Sequence, residues 1–204
     1  MPVQNCTALE EIALGCARNS GGIDEIYVGD MEDVTAITAD ESTWEITAMT
    51  VSTAPINIQV KRRYSEYTDE KQDGIEAGVD VVNRTVSIML PRREKEKSKA
   101  LNILGAGSRY LYVFVKDLNG LIWYFPYVQL QTIGGGSGKN RADGSKYDVA
   151  FYGEDDYLAK EVNATVFSTV ISNKKPKNQT IKRGGDNVHP FFYETKFSFY
   201  TILI

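Results

Sequence analysis

One stretch of the chain, residues 85–127, constrains the fold more than any other. Within it, two runs rich in β-branched and aromatic residues, RYLYVFVK (109–116) and LIWYFPYV (121–128), flank the sequence DLNG (117–120). An Asn-Gly pair between two such runs is the strongest short-range signal for a β-hairpin, because both residues tolerate a positive φ. We therefore predict two antiparallel strands joined by a tight turn at this pair.

The segment before the hairpin predicts a strand followed by a helix. Residues 85–90 (TVSIML) form an apolar, β-branched run that is typical of a strand. Between residues 93 and 104, apolar side chains recur at helical spacing and lysines occupy the other face. Pro91 suits the first turn of this helix, and Gly105 suits the C′ position after it. The charged run 92–99 is then the solvated side of the helix.

The rest of the chain favours a mainly-β fold. Its strand-like runs, separated by turn residues, give roughly eight to ten strands with one or two helices, which is typical of a β-sandwich or barrel. We interpret residues 30–37, 73–84 and 134–147 as turns or loops. Further strands are predicted at 23–29, 44–51, 57–72, 148–162 and 163–172.

The last residues of the chain, 191–204 (FFYETKFSFYTILI), also alternate as a strand does. They keep apolar side chains on both faces, and such a strand needs burial on both faces. Left exposed, it would promote aggregation. We therefore expect this segment to pair within the fold or against a neighbouring molecule.

The length of the chain and the change in its sequence pattern towards each end suggest one domain with an arm at each end. A chain of 204 residues can bury a sizeable core without disulfides or metals. We predict an N-terminal arm at 1–22, a β domain with one packed α-helix at 23–162, and a C-terminal β extension or docking arm at 163–204.

The net charge of −4 argues against a protein that holds nucleic acid by charge. Such a protein needs a basic excess in order to displace counterions from phosphates. The charges are nevertheless segregated along the chain. Residues 30–41 and 154–156 are acidic, and the basic segments are 61–63, 92–99 and 174–183.

No metal site is predicted. Cys6, Cys16 and His189 supply too few nitrogen and sulfur ligands for zinc, which takes about four. We interpret the two cysteines as free thiols. The acidic residues 154–156 lack the alternating spacing of a dedicated calcium loop, so we interpret them as a solvated turn.

No cofactor site or catalytic residue is predicted either. The run GGGSGKN (134–140) differs from a phosphate-binding loop, because three residues instead of four separate Gly134 from Gly138 and Asn140 replaces the required hydroxyl. His189 has no Ser, Cys or Asp at a spacing that would indicate a triad. We therefore expect a protein that is not an enzyme.

The start of the chain, MPVQNCTALEEIALGC, lacks the basic region of a secretory signal and carries two glutamates in its apolar part. No run approaches the ~18 apolar residues of a membrane-spanning helix. We expect synthesis in the cytoplasm and no association with a membrane.

Four segments form a pattern when they are taken together. Residues 15–37 hold a Gly-Gly pair, an aromatic strand and an Asp-Val step, and residues 64–90 hold a long loop and a strand. Residues 99–125 hold the helix and the Asp-x-Asn-Gly hairpin, and residues 137–156 hold a glycine-rich loop, a strand and a Gly-Glu pair. In this order, over residues 15–160, the chain resembles the phage tail tube proteins, specifically those of phages and prophages of anaerobic gut bacteria.

Two departures from that family stand out. Phe125-Pro126-Tyr127 occupies the place where the family usually has a glycine-containing turn. The chain also continues past the Gly-Glu strand, through residues 163–204, where the family tends to end. The extension suggests a specialised ring, such as a tail hub, a distal tube or an adaptor.

The resemblance implies a structural virion protein that forms a hexameric ring of the tail tube or tail hub. Its partners would be copies of itself, neighbouring tail or hub proteins, and DNA that passes through the channel without sequence-specific binding. An acidic channel would repel phosphates so that DNA slides. The resemblance further implies that the segment 64–84 makes contacts between subunits or rings, and that residues 163–204 dock on an adjacent protein.

A second class of function is compatible with the same residues. A β-sandwich with surface aromatic side chains could be a carbohydrate-binding or receptor-binding module. Rings with a central hole would favour the tail protein, and monomers that bind glycans would favour the module.

Overall fold

The computed structural model describes residues 12, 19–61, 64–73 and 80–172. The predictions for Cys6, Cys16, His189 and the segment 191–204 lie outside the described residues. Within the described part the chain is mainly β, as the sequence predicted, with ten strands and two α-helices. The strands are β1 (Ile23–Asp30), β2 (Val34–Asp40), β3 (Glu45–Val51), β4 (Ile56–Ile58), β5 (Glu66–Asp73), β6 (Asp80–Pro91), β7 (Leu111–Asp117), β8 (Ile122–Gly136), β9 (Lys146–Asp155) and β10 (Lys160–Val162), and the helices are α1 (Lys95–Leu104) and α2 (Ala164–Ser172).

The ten strands form one open sheet, and the long strand β8 takes part in two layers of it. The first part of β8 belongs to a seven-strand layer in the order β2-β3-β10-β8-β7-β1-β4. The second part pairs with β9 and belongs to a four-strand layer in the order β5-β6-β9-β8. The predicted sandwich is thus realised as two layers of one sheet, which does not close into a barrel within the described residues.

The predicted hairpin between β7 and β8 is confirmed. The two strands pair antiparallel, with Phe114 opposite Tyr124 and Lys116 opposite Ile122. Asp117 holds the turn, since its Oδ1 accepts hydrogen bonds from the N–H groups of Asn119 (2.8 Å) and Leu121 (3.0 Å). Only glycine adopts a positive φ here, at Gly120 (90°), so the turn does not place both residues of the Asn-Gly pair in the left-handed region.

The two layers share one hydrophobic core. The inward residues of β1 and β7 meet the alternate residues of β6 and β9 there. Helix α1 packs against the same core through Leu101, and the Tyr147 hydroxyl donates to the Glu94 carbonyl (3.1 Å) just before the helix begins. The largest fully buried side chains of this core include Phe125, Phe151, Ile23, Ile26 and Leu111.

A second core covers the other face of the seven-strand layer. Tyr112, Phe114 and Tyr124 point to that face, and the Phe167 ring of α2 stacks edge-on against Phe114 with 5.6 Å between centroids. The strand β7 is therefore apolar on both faces because it is buried on both.

The prediction of a strand at 163–172 was wrong, because this segment is the helix α2. Asn163 begins the helix, and its Oδ1 accepts a hydrogen bond from the N–H of Thr165 (3.0 Å). Phe167 and Val170 lie on one side of the helix and pack into the second core. The predicted domain boundary after residue 162 therefore lies next to an element that packs on the domain.

The α1 prediction was right about the helix and its last residue, Leu104, and wrong about its start and the conformation of Gly105. Pro91 is the last residue of β6, and the helix begins at Lys95 after Glu94, which makes no side-chain capping bond. Gly105 ends the helix at φ −85°, so the left-handed glycine lies two residues later, at Gly107 (φ 74°). The side chains of the run 92–99 are exposed or half-buried, as predicted.

Three predicted loops contain more strand than expected. Residues 30–37 hold a short 3₁₀ turn (Met31–Asp33) and the first part of β2. Of the loop predicted at 73–84, residues 80–84 are the first part of β6, which pairs antiparallel with β5 so that Asp80 lies opposite Asp73. The loop at 134–147 is shorter than predicted, because Gly134 to Gly136 continue β8 and pair with β9. The single strand predicted at 57–72 is in fact the separate strands β4 and β5.

Candidate assembly surface

The outward face of the four-strand layer is a broad surface that no other described element covers. The strand register brings Glu70, Asn83 and Glu154 into one row, and Thr68, Thr85 and Tyr152 into the next. All of their side chains are exposed or half-buried, because the intervening residues point into the shared core. We call this surface the acidic face: Glu66, Thr68, Glu70, Asn83, Thr85, Ser87, Met89, Thr132, Lys146, Asp148, Ala150, Tyr152 and Glu154.

Negative charge predominates on the acidic face. Its ionisable groups are the carboxylates of Glu66, Glu70, Asp148 and Glu154, against the single ammonium of Lys146. Lys146 Nζ lies 3.2 Å from Asp148 Oδ1. The other carboxylates stand among hydroxyl, amide and methyl groups, so their field is directed outward from the sheet.

Most side chains between these carboxylates are short, the exceptions being Met89 and Tyr152. A depression of about 410 Å³ lies over Ser87, Thr132 and Ala150. At the other end of the face, Tyr152 Oη lies 2.8 Å from both Asn83 Oδ1 and Glu154 Oε1. The hydrogen bond to Glu154 raises the pKa of Tyr152, so this hydroxyl stays neutral and does not add to the charge.

A buried arginine supports the acidic face from below. The Arg84 side chain is only 3% exposed, and its Nη1 lies 2.7 Å from Asp155 Oδ2 while its Nε lies 3.3 Å from Asp69 Oδ1. Arg84 Nη2 also donates to the Tyr157 carbonyl. One guanidinium therefore ties β5, β6 and β9 together beneath the face.

Both borders of the four-strand layer are strand edges. Among the described strands, β5 pairs only with β6. Residues 129–136 of β8 pair with β9 on one side, and the pairing of β8 with β7 ends at Val128, so no described strand lies on their second side. Such edges present rows of N–H and C=O groups that can pair with another chain.

β8 bends where it leaves one layer for the other. Pairing with β7 shifts register between Leu111 and Val113, and Tyr127 adopts a φ of 52° there. The left-handed region is costly for a bulky residue. Residues 125–127 contain no glycine, so the bend occurs without one. Gly153 of β9 approaches the bend so closely that an added Cβ would lie 3.1 Å from the Tyr127 carbonyl oxygen.

The two ends of the four-strand layer carry opposite charges. At one end, the loop before β9 carries Lys139 and Arg141, and the segment before α1 carries Arg92 and Arg93. The Arg92 N–H donates to the Ser145 carbonyl across this end, and the Arg92 Nε lies 3.1 Å from Glu94 Oε1. At the other end, β9 closes with the carboxylates of residues 154–156. The ends are separated by the length of β6, which is 12 residues or about 40 Å.

The predicted absence of metal, cofactor and catalytic sites stays a prediction. In the described part of the chain, no group of three or more His, Cys, Asp or Glu residues is placed to hold a metal ion. Asp155 is engaged by Arg84 instead of standing in a calcium loop. In the loop at 137–145, Asp143 Oδ2 accepts the N–H groups of Lys139 (2.9 Å) and Asn140 (2.8 Å), so a carboxylate occupies these donors.

The sequence did not point to the acidic face. Its carboxylates lie far apart along the chain and come together only through strand pairing. A signal was present in the strict alternation of β6 and β9, whose outward residues are polar or small, but the partners of each strand were unknown.

Among the described residues, no helix is long and apolar enough to cross a membrane. No protein family model matches the chain, and no curated protein matches it either. One solved structure, a virion of a native gene transfer agent particle, aligns with 65% of this chain and 97% of its own at 10% identity, with a TM-score of 0.29. A likeness at so low a TM-score carries no argument about fold or function.

Proposed function

We propose that this protein is a structural protein of a phage tail, and that copies of it form a ring of the tail tube or hub through which DNA passes. The observation that carries the proposal is the acidic face, a mostly polar surface bordered by two strand edges. The sequence resemblance to tail tube proteins supplies the biological context. Hexameric stoichiometry is part of the proposal and comes from that resemblance.

Ring closure would join the edge of β5 in one copy to residues 129–136 of β8 in the next. The two edges lie at opposite borders of one layer, so such a contact is heterologous and repeats around a closed ring. Closing the layers into a continuous sheet would leave neither edge exposed. The acidic faces of all copies would then line one channel.

The charge of the acidic face suits a passage for DNA. Carboxylates repel phosphates, and Lys146, the single cationic side chain of the face, lies 3.2 Å from Asp148. The hydroxyl groups on the face are neutral donors, which supply no charge to hold a phosphate. DNA inside such a channel would move without being bound at any one sequence. The face therefore supports a conduit instead of a nucleic-acid-binding site.

Stacking of rings would use the oppositely charged ends of the four-strand layer. When rings stack head to tail, the basic end, with Arg92 and Arg141, meets the acidic end, with residues 154–156, of the ring above or below. Complementary charge favours one orientation of stacking and disfavours the reverse.

Electron microscopy of the purified full chain tests the ring. We expect rings with a central hole, and we expect them to be lost when proline blocks β5. Because alternate N–H groups of an edge strand point away from the sheet, one of Glu70→Pro and Lys71→Pro leaves the pairing with β6 intact. That variant should fold and fail to form rings, whereas Glu70→Gln, which keeps its backbone N–H, should form them. Rings that persist in the folded proline variant would contradict the proposed edge contact.

A carbohydrate-binding or receptor-binding module is the second candidate, and an exposed aromatic pair favours it. Tyr110 and Tyr127 are 55% and 53% exposed, with 6.1 Å between their ring centroids. Their planes cross at 75°, so they do not offer one flat platform. Monomeric protein that binds glycans in the same preparations would favour this candidate over the ring.

A further inference from the structure

An apolar groove lies on the seven-strand layer beside its edge strand β2. The groove has a volume of about 230 Å³. Ile37 of β2 points into it and is 40% exposed, although its pairing partner Met49 is buried under α2. Tyr157 and Leu158, which form the opposite wall, are 54% and 48% exposed. Its lining also includes Ala39, Ile46, Tyr124 and Pro126, together with the charged residues Arg84, Asp155 and Lys160.

The groove continues the second hydrophobic core. α2 covers Phe114, Met49 and Val51, but it leaves Ile37 open to solvent. Trp44 extends the apolar surface at the end of the groove, where its ring lies 5.8 Å from that of Tyr157. Exposed apolar side chains gathered at one place mark a surface that another chain covers.

The strand that borders the groove has a free edge. β2 pairs with β3 and with no other described strand, so one row of its N–H and C=O groups is open to a further strand. β2 has seven residues, or about 23 Å of strand. A segment that both extends this sheet and fills the groove must be an apolar strand of about this length.

The chain itself contains an apolar, strand-like segment at residues 191–204, and its fourteen residues are twice the length of β2, so about half of them would pair with that edge. The side chains of one parity carry no charge: Phe191, Tyr193, Thr195, Phe197, Phe199, Thr201 and Leu203. The other parity mixes the polar side chains of Glu194, Lys196 and Ser198 with the apolar side chains of Phe192, Tyr200, Ile202 and Ile204. A strand added at the edge of β2 would therefore place its uncharged parity over the groove.

The position of α2 favours the same copy of the chain as the donor. α2 packs on β3, the strand next to β2, and the chain continues from its last residue, Ser172. Eighteen residues (173–190) separate it from the segment, and these can span up to about 60 Å. Residues 174–183 of this linker are basic, whereas both ends of β2 are acidic, at residues 30–33 and 40–41.

We propose that residues 191–204 add as a strand to the free edge of β2 in the same chain and cover the groove between Ile37 and Leu158. The added strand shields the edge of β2 from pairing with other molecules. It does not depend on ring formation, since β2 lies in the seven-strand layer and not in the four-strand layer that we propose to form the ring.

Hydrogen–deuterium exchange of the full chain, followed by mass spectrometry in dilute monomeric samples, tests this assignment. We expect the amides of 191–204 and of β2 to exchange at least about tenfold more slowly than an unstructured peptide. Ile37→Glu and, separately, Leu158→Glu should each abolish the protection of 191–204, because both place a charge in the groove. Ile103→Glu on α1, which is 56% exposed in the wild type and lies away from the groove, should leave it unchanged.

Three results would overturn the proposal. The first is exchange of 191–204 at the rate of an unstructured peptide in the wild-type chain. The second is protection that survives both groove variants. The third is protection that appears only when rings are present, which would assign the segment to a neighbouring copy. Electron micrographs of the same samples test the proposed ring separately, since loss of the strand at 191–204 leaves β5 and β8 unaltered.

Discussion

The two layers of the sheet share β8 and one core, but their outer faces are opposites. The outer face of the seven-strand layer carries Tyr112, Phe114 and Tyr124 and is covered by α2. The outer face of the four-strand layer carries carboxylates and mostly polar side chains, and no described element covers it. Burying the aromatic face contributes to the stability of the subunit, because apolar area is removed from water. The acidic face contributes little to stability, which leaves its charge to be explained by function.

Removal of the aromatic side chain of Phe167 in α2 should have the largest effect on stability. Phe167 is 6% exposed and stacks edge-on with both Tyr27 (5.2 Å) and Phe114 (5.6 Å). Phe167→Ala should lower the free energy of unfolding by about 3 kcal/mol, since it leaves a cavity in the second core. Urea denaturation measures this change. Ser168→Ala, on the solvent side of the same helix, is the control and should change stability by less than about 0.5 kcal/mol. Equal effects of the two variants would show that α2 does not cover the layer.

Loss of Arg84, which supports the acidic face from below, should have the second-largest effect on the free energy of unfolding. Arg84→Met leaves the carboxylates of Asp69 and Asp155 without their shared guanidinium, which should cost about 3 kcal/mol or somewhat less because Asp155 is partly exposed. The triple variant that adds Asp69→Asn and Asp155→Asn should recover part of this loss.

A matched control for Arg84 is Lys116→Met. Lys116 Nζ lies 3.0 Å from Glu25 Oε1, but both side chains are about one-third exposed. Its loss should therefore cost below about 1 kcal/mol. If Arg84→Met costs no more than Lys116→Met in the same denaturation series, the buried cluster does not hold the four-strand layer together.

The smallest effect concerns Glu161 of β10, which lies opposite Glu45 of β3 in the seven-strand layer. Burial, then the carboxylates of Glu45 and Asp117, raise the pKa of Glu161. A carboxyl whose pKa is higher in the folded protein than in the unfolded chain destabilises the fold at pH above that value, and the cost disappears as the pH falls through it. Glu161→Gln should therefore stabilise the protein by about 0.5 kcal/mol at pH 7, with solvent screening allowed for, and less at pH 3. A gain that is equal at both pH values would contradict this account.

Local signals were enough to predict the parts of the fold that are set by nearby residues. The Asp117–Gly120 turn was found because its hydrogen bonds join residues at most four apart. Helix α2 was missed because Thr165, Val166 and Ile171 favour strands by propensity. Its capping residue, Asn163, and the helical spacing of Phe167 and Val170 were the signals that would have identified it.

The candidate assembly surface could not be predicted from local signals. Glu70 and Glu154 share a row only because β5, β6 and β9 pair in a particular register. A shift of one residue in β6 would turn its outward residues to the core, so the face exists only once the register is fixed. The register is set in turn by the buried residues Val82, Val86 and Ile88 on the opposite side of β6.

The central claim is that the acidic face lines a channel in a closed ring. A cryo-electron microscopy map of the assembled full chain tests it most directly. We expect Glu70 and Glu154 to face the channel, and β5 of each copy to pair with residues 129–136 of the next. A ring in which the acidic face points outward, or in which β5 and β8 of adjacent copies are apart, would contradict the account.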